Sequence, residues 1–97
     1  MPESAKKRLE WSRLAQRDLF AAWKFIVQDS PQAANQVASA LFNAADLILE
    51  QPFIGRRGGV KNTRELVVAN TSFVIVYRVA RGAVRIGRVL HSSRKYP

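Results

Sequence analysis

Hydrophobic residues follow a helical period through the first half of the chain. Between Arg13 and Gln28 they recur every three or four residues, which predicts a helix whose apolar stripe is Leu19, Trp23, Ile26 and Val27. Ser30 is a suitable cap for a second helix that begins at Pro31 and ends near Glu50. The apolar stripe of this second helix is Ala34, Val37, Leu41, Ala44 and Ile48. Because so few residues separate the two helices, they are predicted to form an αα-hairpin.

After Pro52 the period changes to that of β-strands. Three runs rich in β-branched and aromatic residues occupy positions 63–69, 72–79 and 83–91. The connections between them are so short that neighbouring strands must be antiparallel, so the runs are predicted to form a meander. A short alternating run, Arg8–Trp11, predicts a further strand before the first helix.

The expected fold is therefore α+β: an N-terminal strand, an αα-hairpin and a three-stranded antiparallel meander with the helices packed on one face. The opposite face of the sheet also carries apolar side chains, so it is either covered by the N-terminal segment or kept for a partner. With 97 residues and 47% hydrophobic content, residues 1–97 suit a single domain.

Composition excludes several classes of function. Without cysteine and with a single histidine, the chain offers no thiol nucleophile, disulfide or zinc site, and neither a metal nor a cofactor is expected. No stretch is apolar for long enough to be a signal peptide or a membrane span, so a cytoplasmic protein without membrane contact is expected. The glycine- and arginine-rich segment 53–62 is predicted to be an exposed loop, but it lacks the residue order of a P-loop, and no small-molecule ligand is expected.

Charge is distributed very unevenly along the chain. The net charge is +9, and the first fifty residues contribute nothing to it because their basic and acidic side chains balance. From Gln51 onward, ten arginines and lysines stand against one acid, Glu65. This asymmetry predicts an anionic partner, either nucleic acid or an acidic protein.

Glu65 is the first candidate for chemistry. Held near a ribose 2′-hydroxyl, it would act as a general base, with arginines such as Arg64 stabilising the phosphate. The simpler alternative is that Glu65 forms an ion pair with a cross-strand arginine such as Arg78.

The last predicted strand and the residues after it supply the second candidate. Strict alternation places Arg88 on the apolar side of that strand, where a guanidinium must reach water at a cleft or find an acid. His91 ends the strand, and Arg94 and Tyr96 follow it. Histidine, arginine and tyrosine together can cleave RNA by acid-base chemistry without a metal.

The order of these elements, together with several short motifs, resembles the ParE/RelE superfamily of type II toxin-antitoxin toxins. The resemblance covers nearly the whole chain. It rests on segments 15–19 (AQRDL), 52–56 (PFIGR), 63–66 (TREL), 76–79 (VYRV) and 88–91 (RVLH), with Arg94 near the end.

The resemblance implies one of two activities. ParE-like members poison DNA gyrase by trapping it on cleaved DNA and have no catalytic residues of their own. RelE-like members are ribosome-dependent endoribonucleases that cut mRNA. The motifs of this chain look more like the ParE branch, and it lacks the lysine pair expected on the central face of the nuclease. The ParE reading predicts a target-binding patch of Arg64, Arg88, His91 and Arg94, whereas the RelE alternative assigns catalysis to Glu65, Arg64, Arg88, His91 and Tyr96.

The resemblance also implies a second partner, a small ParD-like or similar antitoxin whose acidic segment fits the positive charge. Such antitoxins pack a helix near the αα-hairpin and an extended segment against the sheet. The residues expected to contact it are Leu19, Trp23, Phe73, Val74 and Val76. A third and weaker hypothesis is that the chain is a non-toxic relic that still binds an antitoxin.

Overall fold

The structure, a computed structural model, describes residues 7–93 and contains two helices and one five-stranded sheet. In chain order the elements are β1 (Arg8–Trp11), α1 (Arg13–Val27), α2 (Pro31–Glu50), β2 (Arg56–Arg57), β3 (Arg64–Val67), β4 (Phe73–Ala80) and β5 (Ala83–His91). The predicted α+β architecture, with its N-terminal strand, αα-hairpin and meander, is confirmed. Neither described helix is long and apolar enough to cross a membrane.

Both helices begin at the serines that the sequence identifies as caps. The hydroxyl of Ser12 accepts a hydrogen bond from the amide of Ala15 at 2.9 Å, and the hydroxyl of Ser30 accepts one from Ala33 at 3.1 Å. Each bond satisfies an amide that the first helical turn would otherwise leave without a partner. Pro31 occupies the first turn of α2, where its missing N–H costs nothing.

The strands are arranged in the order β1-β5-β4-β3-β2. Neighbours from β5 to β2 are antiparallel, whereas β1 runs parallel to β5. The N-terminal strand therefore extends the sheet at its edge, so the first of the two alternatives for the open face, cover by the N-terminal segment, does not hold for the described residues. The predicted loop 53–62 also contains strand β2, which two residues are too short to reveal by periodicity.

The hydrophobic core lies between the hairpin and one face of the sheet. It joins the buried side chains of both helices to those of β4 and β5: Ala15, Leu41, Ala45, Ile48, Ile75, Tyr77, Val84, Ile86 and Val89, with Val68 from the β3–β4 turn. On α1 the fully packed positions are the small residues Ala15 and Ala22, because small side chains let α1 approach its neighbours closely. The large residues of its predicted stripe, Leu19 and Trp23, remain half-buried.

A β-bulge at Gly87 corrects the predicted orientation of Arg88. Tyr77 pairs with Ile86 and Val76 pairs with Arg88, so Gly87 has no residue opposite it on β4. The extra residue reverses the alternation, and Val89 rather than Arg88 joins the core. Arg88 therefore does not share the face of Val84 and Ile86, as strict alternation predicts.

Ion pairs tie β1 to β5 on the exposed side of the sheet. The carboxylate of Glu10 accepts hydrogen bonds from Arg85 Nε at 2.9 Å and from Arg8 Nε at 3.1 Å. These two bonds lower the pKa of Glu10 from its ordinary value of 4.5, and the bond from Arg85 has the larger effect. A carboxyl whose pKa is lower in the folded chain stabilises the fold above the unfolded pKa, and this contribution is lost as the pH falls.

We therefore expect Glu10→Gln to make stability less sensitive to acid. The wild-type protein should lose more free energy of unfolding between pH 7 and about pH 3 than the variant does, because glutamine has no proton to gain in this range. Urea denaturation at the two pH values measures the difference. Equal losses in both proteins would show that the ion pairs of Glu10 do not survive in solution.

Candidate functional site

Arg88 is held by an acid on α1. Its guanidinium forms two hydrogen bonds with Asp18, from Nε to Oδ2 at 2.8 Å and from Nη2 to Oδ1 at 3.1 Å. Oδ2 of Asp18 also accepts a bond from the amide of Val89 at 2.9 Å. The side chain of Arg88 is 28% exposed and that of Asp18 is 16% exposed. Of the two predicted outcomes for Arg88, water at a cleft or an acid, the structure shows the acid, and this partner fastens α1 to the β5 backbone.

Arg64 is directed into the segment between α2 and β2. Its Nη1 donates to the carbonyl of Gly55 at 2.7 Å, and its guanidinium lies 4.9 Å from the centre of the Phe53 ring. A hydrogen bond from a charged guanidinium to a carbonyl oxygen is stronger than one between neutral groups. The face of the Phe53 ring also attracts the positive charge. Arg64 therefore holds the chain that leaves α2 against the start of β3.

Tyr77 anchors the same segment from inside the core. Its hydroxyl donates to the carbonyl of Pro52 at 2.7 Å and accepts from the amide of Gly55 at 2.9 Å. Burial raises the pKa of Tyr77 above 10.0, so the hydroxyl keeps the proton that it donates. With Arg64, this side chain fixes the path of residues 52–55.

Glu65 pairs with an arginine, but with a different one from that predicted. Its Oε1 accepts from Arg56 Nη2 at 3.1 Å, and its Oε2 accepts from the amide of Gly59 at 3.3 Å. Arg56 lies directly opposite Glu65 in the β2–β3 pair, whereas Val76 is the residue opposite Glu65 on β4. Arg78 is two positions further along, so the suggested ion pair with Arg78 is wrong.

His91 lies exposed at the end of β5. Its Nδ1 accepts a hydrogen bond from the amide of Ser93 at 3.2 Å and lies 2.8 Å from the hydroxyl of Ser93. Because an amide can only donate, the neutral ring carries its proton on Nε2. The ring also meets Phe73 edge to face, with centroids 5.5 Å apart. These contacts orient the ring but leave Nε2 available.

The predicted site residues come together only in part. A shallow hollow of about 130 Å³, here called the sheet concavity, is lined by Arg56, Glu65, Val74, Val76, Leu90, His91 and Ser92. It contains Glu65 and His91, but not Arg64 or Arg88, whose guanidinium groups bond elsewhere. Arg94 and Tyr96 lie outside the described residues. Asp18 and Arg56 were not among the predicted site residues, although an acid was one of the two partners expected for Arg88.

A second candidate surface lies on the helices. An apolar groove of about 660 Å³, here called the helix groove, is lined by Trp11, Gln16, Leu19, Phe20, Trp23, Ala38 and Phe42. Phe20 and Phe42 contact the rings of Trp23 and Trp11, yet they are still exposed by 60% and 48%, which leaves a large apolar area open to solvent. Two residues expected to contact an antitoxin, Leu19 and Trp23, thus share one surface.

The other three expected antitoxin contacts lie elsewhere. Phe73 is half-buried against the core and His91, whereas Val74 and Val76 line the sheet concavity. Val76 is only 3% exposed and offers almost no surface to a partner.

The described residues contain no cluster of three or more His, Cys, Asp or Glu side chains suited to a metal ion.

Known proteins match both the sequence and the fold. Residues 9–96 match the sequence model of a family described as the ParE toxin of the type II toxin-antitoxin system parDE. The chain is 43% identical to toxin RelE2 of Caulobacter vibrioides over 87% of this chain and 93% of that protein. It is 38% identical to Y4kP of Sinorhizobium fredii over 96% of each chain.

Two solved structures share the architecture. The chromosomal ParDE system from P. aeruginosa matches with a TM-score of 0.81 and 23% identity over 91% of this chain and 98% of that one. The DinJ-YafQ toxin-antitoxin complex of E. coli matches with a TM-score of 0.64 and 14% identity over 95% of this chain and 99% of that one. Identities this low establish the fold alone, whereas the family model and the closer relatives establish the family. The chain therefore belongs to the ParE toxins of type II toxin-antitoxin systems, within the ParE/RelE superfamily.

Proposed function

We propose that this toxin acts by binding DNA gyrase and trapping it on cleaved DNA, without catalysis of its own. The observation that carries the proposal is the bidentate bond between Arg88 and Asp18. Cleavage of RNA without a metal requires a cation on the phosphate beside the acid and the base. Arg88, which the RelE alternative assigns to the catalytic site, is instead bonded to Asp18 within the fold.

Two further arginines support the same conclusion. Arg64 bonds to backbone carbonyls between α2 and β2, and Arg56 forms an ion pair with Glu65. Both carboxylate oxygens of Glu65 are thus hydrogen-bonded within the fold. The match of residues 9–96 to the ParE family agrees with a toxin that binds its target rather than cutting it.

A ribosome-dependent endoribonuclease is the second candidate, because the sheet concavity brings Glu65 and His91 together. An acid and a base on one hollow are the minimum that RNA cleavage needs. The matched family is named for ParE, whereas one of the matched relatives is named for RelE. This candidate requires Arg56 to release Glu65 and to move onto the phosphate.

The antitoxin is proposed to cover the helix groove. Its exposed aromatic side chains lie between α1 and α2, where an amphipathic segment of a partner would bury them. One hydrogen bond fixes the groove wall, from Trp23 Nε1 to Asn35 Oδ1 at 3.0 Å. Acidic residues flanking that segment would meet the positive charge of the toxin.

Purified gyrase tests the proposed target. Supercoiled plasmid is incubated with gyrase and ATP, with and without the toxin, and the products are denatured and treated with protease. Linear DNA that requires both proteins supports the proposal, because it marks gyrase trapped after strand cleavage. Plasmid that stays free of breaks at a large excess of folded toxin would rule the proposal out.

The variant His91→Gln separates the two candidates when it is tested in this assay and, in parallel, for mRNA cleavage on ribosomes. If the toxin acts by binding, the variant should form linear DNA within about tenfold of the wild-type yield, because His91 is one of four residues in the predicted target-binding patch and most side chains of an interface contribute about 1 kcal/mol or less. If the toxin cleaves RNA by proton transfer at His91, mRNA cleavage on ribosomes should fall by a factor of about 10² or more. Ser93→Ala is the control, because it removes a neighbour of His91 but no ring nitrogen.

A further inference from the structure

A groove rich in basic residues lies beside the β2–β3 hairpin and shares no lining residue with the helix groove or the sheet concavity. This basic groove has a volume of about 770 Å³. Five of its lining residues are cations, Arg57, Lys61, Arg64, Arg78 and Arg85, and none of the described residues that line it is acidic. Of these five cations, only Arg85 forms an ion pair with a described carboxylate, that of Glu10.

The cations of the basic groove oppose the stability of the sheet. Arg57 lies directly opposite Arg64 in the β2–β3 pair, and Arg78 lies directly opposite Arg85 in the β4–β5 pair. Like charges in directly opposed positions destabilise a sheet. Of the described acids, only Glu10 contacts this set, through Arg85. Two adjacent like-charge pairs are therefore a cost to the fold that an anionic ligand would relieve.

Some of these cations have no role in the fold. Arg57 and Lys61 are exposed, and neither forms an ion pair with any carboxylate in the described part of the chain. Arg78 donates only to the carbonyl of Lys61, at 3.3 Å. A guanidinium on one backbone carbonyl keeps most of its donors free for a ligand.

The cations of the basic groove are spread over a width that suits a linear polyanion. They come from strands β2, β3, β4 and β5 and from the β2–β3 turn, which at about 4.8 Å per strand spans about 14 Å. Each strand of duplex DNA presents a phosphate every 3.4 Å or so along the helix axis, so several phosphates fall within this width. Protein interfaces need an apolar centre, whereas this groove is dominated by arginine, lysine and glycine.

We propose that the basic groove binds the phosphate backbone of duplex DNA. The biological setting rests on the proposed function: the toxin would grip the DNA segment held by gyrase while another part of its surface contacts the enzyme. Direct binding of DNA does not depend on gyrase. The two proposals can therefore fail separately.

The test compares two variants of equal charge in a binding titration. Arg57→Glu/Lys61→Glu reverses two cations of the groove, and Arg17→Glu/Lys24→Glu reverses two exposed cations of α1 that do not line it. Fluorescence anisotropy with a labelled 30-base-pair duplex, at several salt concentrations between 25 and 200 mM, gives the affinity and its salt dependence. Circular dichroism confirms that each variant is folded.

We expect the groove variant to bind the duplex about tenfold more weakly at low salt. The slope of log K against log salt concentration should also fall in magnitude by about 2, because two phosphate contacts are lost. The α1 variant should stay within about threefold of the wild type, with an unchanged slope. Equal losses in the two variants, or no loss in the groove variant, would overturn the proposal. Tighter binding of a polyglutamate peptide or a single-stranded RNA of the same charge would also overturn it, because the groove would then be a site for a different class of partner.

The plasmid assay with gyrase separates the two proposals. A wild-type toxin that binds duplex DNA but yields no linear plasmid overturns the gyrase proposal and leaves the groove assignment supported. A toxin that yields linear plasmid but shows no groove-dependent DNA binding overturns the groove assignment alone.

Discussion

Replacing Gly55 with alanine is expected to lower the free energy of unfolding by about 3 kcal/mol. A Cβ at this position would lie 2.7 Å from the Tyr77 hydroxyl and 2.8 Å from the carbonyl oxygen of Glu65. Neither atom can move freely, because Tyr77 is fully buried and the carbonyl belongs to strand β3. The methyl group must therefore displace the Tyr77 hydroxyl and weaken its bonds to Pro52 and Gly55.

Chemical denaturation of Gly55→Ala and of a matched variant measures this effect. Gly87→Ala is the control, since its Cβ would lie 3.5 Å from the carbonyl of Val76, an ordinary contact, and should change stability by about 1 kcal/mol or less. The variant Gly55→Ala/Tyr77→Phe should lose less than the sum of the single variants, because phenylalanine removes the nearest clashing atom, the hydroxyl oxygen. Equal stability of the two alanine variants would contradict the tight contact at Gly55.

Replacing Asp18 with alanine is the second change with a large expected effect, a loss of about 2 to 3 kcal/mol. Asp18 accepts two bonds from Arg88 and one from the amide of Val89. Alanine leaves the guanidinium of Arg88 without this carboxylate at a site where both side chains are less than one-third exposed. It also detaches α1 from the backbone of β5.

Thermal or urea denaturation of Asp18→Ala checks this expectation, with Asp46→Ala as the control. Asp46 is an exposed carboxylate on α2, and its removal should change stability by about 0.5 kcal/mol or less. If Asp18→Ala proves no more destabilising than Asp46→Ala, the hydrogen bonds between Arg88 and Asp18 contribute little to the stability of the fold. The bond to Asp18 would then no longer argue against a role of Arg88 at a phosphate, and the nuclease candidate would gain support.

The sequence predicted the elements well because each has a strong local signal. Ser12 and Ser30 cap the helices where expected, and the runs of β4 and β5 are long and β-branched. Strand β2 has no such signal, because two residues cannot show a period. The bulge at Gly87 also escaped prediction, since an extra residue in a strand depends on its pairing with a neighbour rather than on its own pattern.

The candidate site was less predictable than the fold, because its contacts join residues far apart in the chain. The partners of Arg88 and Glu65 depend on where α1 crosses the sheet and on whether β2 forms. The pattern of the last strand could indicate that Arg88 needs water or an acid, but it could not select Asp18. The five cations of the basic groove were visible only as an excess of charge until the strand register placed four of them opposite one another in two pairs.

One side-by-side measurement tests the central claim, that this toxin binds gyrase and does not cut RNA. Equal portions of one folded toxin preparation are added to gyrase with supercoiled plasmid and ATP, and to ribosomes translating a labelled mRNA. We predict linear plasmid that depends on gyrase in the first reaction and intact mRNA in the second. Cleaved mRNA together with plasmid free of breaks would contradict the account and assign the toxin to the nuclease branch.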